Sequence, residues 1–225
     1  MSLEPLTHTV MDLTMASRRR RGPGPAGRTH DTWSLDLPGF GHSGKPDDLP
    51  IMVGLADAVA AWLDAAGLAR PCPAYWAGPA AARWPVDGAA RFTGRTGALV
   101  LVGPTVDPHA RLVGQWLRNA VRESPRMTPL NVADYRDAGP RRVPASFGAS
   151  LRDRIEDKLL YVDLPVLVVR GGKDRMVSQV WAEEVTRLLP HGRLSVMDGL
   201  PHMVPYRDPH GLAREVATFL REVGS

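Results

Sequence analysis

Two residues of this chain combine a reactive side chain with a position where chemistry is commonly done. Asp174 follows the apolar run Pro165–Val169 and the turn Gly171-Gly172-Lys173, and His202 follows the run Arg193–Met197 and the turn Asp198-Gly199-Leu200-Pro201. In an open parallel sheet, ligands gather at the carboxyl ends of the strands, so a carboxylate at one strand mouth and an imidazole at the next lie where a substrate would be met. An imidazole titrates near pH 6.5 and can take and return a proton at neutral pH. A carboxylate on its far nitrogen fixes the tautomer. Taken alone, an Asp after Gly-Gly is more often a turn or N-cap residue, and a lone His is equally open. A third mouth, after Thr32–Asp36, leads into the tight turn Leu37–Pro46. There Ser43 reads as a turn former, with His42 beside it. Trp76, Trp116, Trp181 and Tyr135 read as packing residues rather than as the walls of a pocket.

These positions matter only if the elements around them form a sheet. Short apolar runs at Ala74–Ala77, Ala98–Val102, Pro165–Val169 and Arg193–Met197 read as strands, and helical spacing is found over Val53–Ala66, Gln179–Leu189 and Pro209–Val223. Strand-helix alternation of this kind implies an α/β domain with a doubly wound, mostly parallel sheet. Between Gly103 and Asp163 the alternation stops. Helical patterns at Leu112–Val121 and Ser150–Leu160 are separated there by Pro125, Pro129, Pro140 and Pro144, the mark of an inserted helical cap. The expected division is core over residues 1–103, cap over 104–163 and core again over 164–225.

Composition agrees with one globular domain. The 225 residues are 44% hydrophobic and 23% charged, and a chain of this size can bury roughly 70% of its unfolded surface without disulfides or a structural metal. No apolar run approaches the roughly 18 residues of a membrane-spanning helix, the N-terminal residues lack an export signal, and Cys72 has no partner within the chain. A cytoplasmic protein that binds neither nucleic acid nor membrane is expected. The formal charge of +4 is local: Arg18, Arg19, Arg20, Arg21 and Arg28 lie between Leu13 and His30 with no acid among them. This run continues into Gly22–Gly27, has no apolar period, and is expected to be a solvated loop.

Over Asp36–Ser225, about five-sixths of the chain, the order and spacing of four segments resemble the α/β-hydrolase superfamily, in the capped branch of esterases, C–C bond hydrolases and epoxide hydrolases. The segments are Asp36–Pro46, Ala98–Pro104, Val166–Asp174 and Gly199–Val204. The resemblance implies that His202 is a general base, that Asp174 orients and stabilises it, and that a small ester or related carbonyl compound is the substrate, with no cofactor and no metal.

Two departures stand against it. The nucleophile elbow, patterned Gly-x-Ser-x-Gly, belongs after Tyr75-Trp76-Ala77, yet Gly78-Pro79-Ala80-Ala81-Ala82 carries no nucleophile, Pro85 falls where a helix should continue, and Asp87 lies about two turns too far along. No apolar strand leading into a His-Gly oxyanion loop is visible before Asp36, so the N-terminal strands are expected to be truncated or irregular. Three accounts follow: a hydrolase with its nucleophile elsewhere, a noncatalytic binding relative, or a product of local reading-frame changes at about Ser17–Thr29 and Ala74–Pro85.

Overall fold

The computed structural model describes residues 4–23, 29–46, 52–68, 75–77, 83–104, 106–108, 113–138 and 142–224. Among them the strands form two sheets. β1 (Glu4–Val10), β2 (Leu13–Pro23) and β3 (Thr29–Leu35) make an antiparallel sheet. β4 (Tyr75–Ala77), β5 (Leu99–Val102), β6 (Val166–Gly171) and β7 (Gly192–Met197) make a parallel one in that spatial order. The helices are α1 (Met52–Ala65), α2 (Arg83–Arg91), α3 (Val113–Glu123), α4 (Pro129–Ala138), α5 (Arg142–Arg152), α6 (Glu156–Leu159), α7 (Gln179–Leu188), α8 (Val204–Arg207) and α9 (Pro209–Glu222).

The parallel sheet is covered on both faces, which is why β5 and β6 are continuous apolar runs. Leu99, Leu101, Val166 and Val168 point to one face and pack with Val86, Ile155, Leu159, Trp181 and Val185. Val100, Val102, Leu167 and Val169 point to the other and pack with Val204, Leu212 and Phe219. Ser178 starts α7 by accepting the Trp181 N–H, and Asp208 starts α9 by accepting the Gly211 N–H. The helical segment between β5 and β6 contains α3 to α6. No helix among the described residues is long and apolar enough to cross a membrane.

The N-terminal region corrects the reading of the arginine run. Arg18 to Arg21 lie within β2, opposite Ser34, Trp33, Thr32 and Asp31 of β3, and the first hairpin turns at Met11-Asp12 with positive φ at both residues. The ladder is made by main-chain groups, which arginines supply as well as any residue, and the Arg19 guanidinium lies 5.3 Å from the Trp33 ring centre. Strands therefore do precede Asp36, although their side chains lack an apolar period. β1 to β3 pack on α1 through Val10, Met15, Trp33, Leu35, Trp62 and Leu63.

Pro85 is also corrected. α2 (Arg83–Arg91) runs on through Pro85, the third of its described residues, to Arg91. Asp87 on the same helix is buried and holds α2 to α6: its carboxylate accepts from Arg91 Nη1 at 2.8 Å and from Lys158 Nζ at 2.9 Å, and Lys158 also reaches Asp153 at 2.8 Å. Burial alone would raise the Asp87 pKa. The hydrogen bonds from Arg91 and Lys158 outweigh it and hold the group below its ordinary 3.8. A depressed carboxylate pKa contributes stability that is fully present above the unfolded value and is lost as pH falls through the folded one. Asp87→Asn should therefore cost about 1–3 kcal/mol at neutral pH, tempered because Arg91 reaches solvent. In urea unfolding the gap from wild type should close below about pH 3.8; a gap that persists there, or none at pH 7, would contradict this role.

Candidate functional site

The mouths of β5, β6 and β7 converge on one buried acid–imidazole pair. β6 ends at Gly171, the chain turns through Gly172 and Lys173, and Asp174 folds back with its carboxylate fully enclosed. Oδ2 of Asp174 lies 2.8 Å from His202 Nδ1, and Oδ1 accepts the N–H groups of Met176 at 2.7 Å and Val177 at 2.9 Å. The acid is thus met on both oxygens. Buried Arg170 secures the same loop from below, donating to the carbonyls of Val177 at 2.9 Å and Asp174 at 3.1 Å.

The histidine loop is fitted against this turn at main-chain distance. Lys173 N–H donates to the Leu200 carbonyl at 2.8 Å, and Gly172 N–H to the Met197 carbonyl at 2.8 Å. Gly103, at the end of β5 with φ +56°, gives the imidazole its place: a Cβ there would stand 3.0 Å from His202 Cε1. Nδ1 is committed to Asp174, so Nε2 is the ring nitrogen left to exchange protons, and it has no hydrogen-bond partner among the described residues.

Both residues singled out in the sequence are therefore brought together. Others take structural places. Ser43 is buried, with its hydroxyl accepting from Ala16 N–H at 2.8 Å and donating to the Asp36 carbonyl at 2.5 Å, so it closes a turn. His42 is exposed and pairs with Asp36. Trp181 is core, its indole N–H on the Pro104 carbonyl. Cys72 and Gly78–Ala82 lie outside the described residues, as do the side chains of Trp76, Trp116 and Tyr135. One residue escaped the sequence reading altogether: buried Glu123, at the end of α3, accepts the main-chain N–H of His202 at 2.8 Å. A single carboxylate at a helix end, 79 residues away in the chain, leaves no local signal of that contact.

Beside Asp174 opens a cleft of about 330 Å³ lined by Asp107, Gln115, Arg118, Asn119, Arg175 and Ser178. Asp107 accepts the Ser178 N–H at 3.2 Å, and Arg118 and Arg175 are exposed residues.

No protein-family model and no curated protein matches the sequence. Solved structures do. E-2-(acetamidomethylene)succinate hydrolase is 18% identical with a TM-score of 0.79, over 98% of this chain and 100% of that one. A serine hydrolase involved in carbazole degradation is 13% identical with a TM-score of 0.78, over 98% and 99%. An esterase from Thermogutta terrifontis is 17% identical with a TM-score of 0.72, over 99% and 100%. The chain has the α/β-hydrolase fold, as its motifs implied.

The closeness of the two loops makes a direct prediction. A methyl group at Gly171 would overlap the carbonyl oxygens of Pro201 and Leu200. Gly171→Ala should lower the unfolding free energy by about 1–3 kcal/mol in urea titration, because main chain must move to admit it; an unchanged midpoint would show that the loops are not in contact.

Proposed function

We propose that this protein is a hydrolase of small esters or related carbonyl compounds in which His202 is the general base and Asp174 its orienting acid. The supporting observation is the buried Nδ1–Oδ2 contact of 2.8 Å, which leaves Nε2 as the proton-accepting nitrogen. The helical segment over 104–163 acts as a cap above the cleft, and the lone cysteine fits a reducing, cytoplasmic setting. The arginines of the cleft favour a substrate that carries a carboxylate as well as the scissile carbonyl.

With no nucleophilic side chain in Gly78–Ala82, the pair acts on water. Nε2 takes a proton as the water oxygen attacks the carbonyl carbon, and the imidazolium then returns that proton to the departing alkoxide. Positioned general-base catalysis of this kind contributes about 10²–10⁴-fold, far below the roughly millionfold that a complete triad adds. Short-chain aryl esters, with and without a free carboxylate, should therefore be cleaved slowly by the purified protein. His202→Ala should abolish that rate, and the carboxylate-bearing ester should be preferred. Equal, near-background rates for both proteins would leave a noncatalytic, ligand-binding role.

A second reading is favoured by one observation: β4 and α2 stand where the strand and helix of an elbow stand, while the residues between them carry no nucleophile. On this reading a local frame change in an Arg-, Gly-, Pro- and Ala-rich, GC-rich gene replaced the elbow. Translating the coding DNA in the other two frames should yield a Gly-x-Ser-x-Gly-like elbow near residue 80. Its absence from both frames removes this reading.

A further inference from the structure

Glu123 is a carboxylate with 5% of its surface exposed, at the last residue of α3. A buried carboxylate is costly unless each oxygen is met, and here both are. Oε2 pairs with Arg126 Nη1 at 3.0 Å, and Oε1 accepts the main-chain N–H of His202 at 2.8 Å. The same corner is tied a second time, because the Arg207 guanidinium, just beyond the histidine loop, donates to the Arg126 carbonyl. Residues 123–126 of the inserted segment thus grip both ends of the 202–207 stretch, and the grip at one end is on the histidine's own peptide.

The consequence is geometric. The imidazole is fixed in the ring plane by Asp174, but the position of its Cα depends on the loop Gly199–Val204, which the β6 turn holds at Leu200 and Glu123 holds at His202 itself. A charged acceptor on that N–H is shorter and stronger than a neutral one and resists a peptide flip that would swing the side chain away from Asp174.

We propose that Glu123 is a positioning residue for His202: from the helical segment it fixes the histidine's main chain, so that the imidazole meets Asp174 only while α3 is docked on the core. This deepens the proposed function, since it assumes that the Asp174–His202 pair is the working one. It gives the inserted segment a task besides roofing the cleft. Any ligand that shifts α3, whose Gln115, Arg118 and Asn119 line the cleft, also acts on the base.

The test is NMR on uniformly ¹⁵N-labelled protein, with two readouts. One is the imidazole Nδ1–H resonance of His202, identified by its loss in Asp174→Asn. The other is solvent exchange of the His202 main-chain amide. Wild type should show the ring resonance and a protected amide. Glu123→Ala should lose the ring resonance and exchange that amide at least tenfold faster while the rest of the spectrum stays dispersed, and Glu123→Gln, whose amide oxygen can accept the same N–H, should restore both. If Glu123→Ala does not fold, Glu123→Asp serves instead, because its carboxylate falls one methylene short of the amide. A ring resonance and an amide unchanged in the Ala or Asp variant would overturn the proposal. The pair reading fails separately: wild type would then lack the ring resonance, while amide protection still reports on Glu123.

Discussion

A carboxylate taken out of water must be met on every side, and Asp174 is the place where the fold has to satisfy that demand. Two main-chain N–H groups hold one oxygen and an imidazole holds the other, and the carbonyl of the same residue is held by Arg170. None of these partners can be moved alone. The N–H groups come from the turn that leads into α7, the arginine from the end of strand β6, and the imidazole from a loop that passes within main-chain contact of Gly171. The sheet positions the pair because β5, β6 and β7 are parallel and in register, so that Gly103, Gly171 and the histidine loop emerge at the same edge.

The parts of the fold that were legible in the sequence are those whose burial is written in side chains. β5 and β6 are covered on both faces and must be continuous Val and Leu, and α7 and α9 carry their caps, Ser178 and Asp208, in the expected places. Asp174 and His202 could be singled out because glycine-containing turns follow the strands β6 and β7. What was not legible is held by main-chain groups or by contacts distant in the chain. β2 looks like a loop since its arginines lack a period, yet its hydrogen bonds come from the backbone and its charge is partly laid over Trp33. Pro85 looks like a helix breaker, yet α2 continues through it to Arg91. Glu123 is an unremarkable acid at the end of an amphipathic helix until the histidine loop closes on it.

The fold is that of the α/β-hydrolases, and the proposed function asks the pair to activate a nucleophile, while the sequence Gly78–Ala82 supplies none. A base held by a buried acid stays useful without a side-chain nucleophile, because water can take that place, although with a far smaller rate advantage. Asp87 is a reminder that acids in this neighbourhood differ in kind: its two cations hold α2 to α6 and serve the fold, whereas Asp174 spends one oxygen on a group that can move a proton.

The central claim is that Asp174 selects one tautomer of His202 and leaves Nε2 bare. The most direct measurement is ¹⁵N NMR of the histidine ring in the neutral state, which distinguishes a protonated from an unprotonated ring nitrogen. The account predicts a proton on Nδ1 and none on Nε2. A His202 ring that carries its proton on Nε2, or averages between the two nitrogens as a free imidazole does, would contradict it.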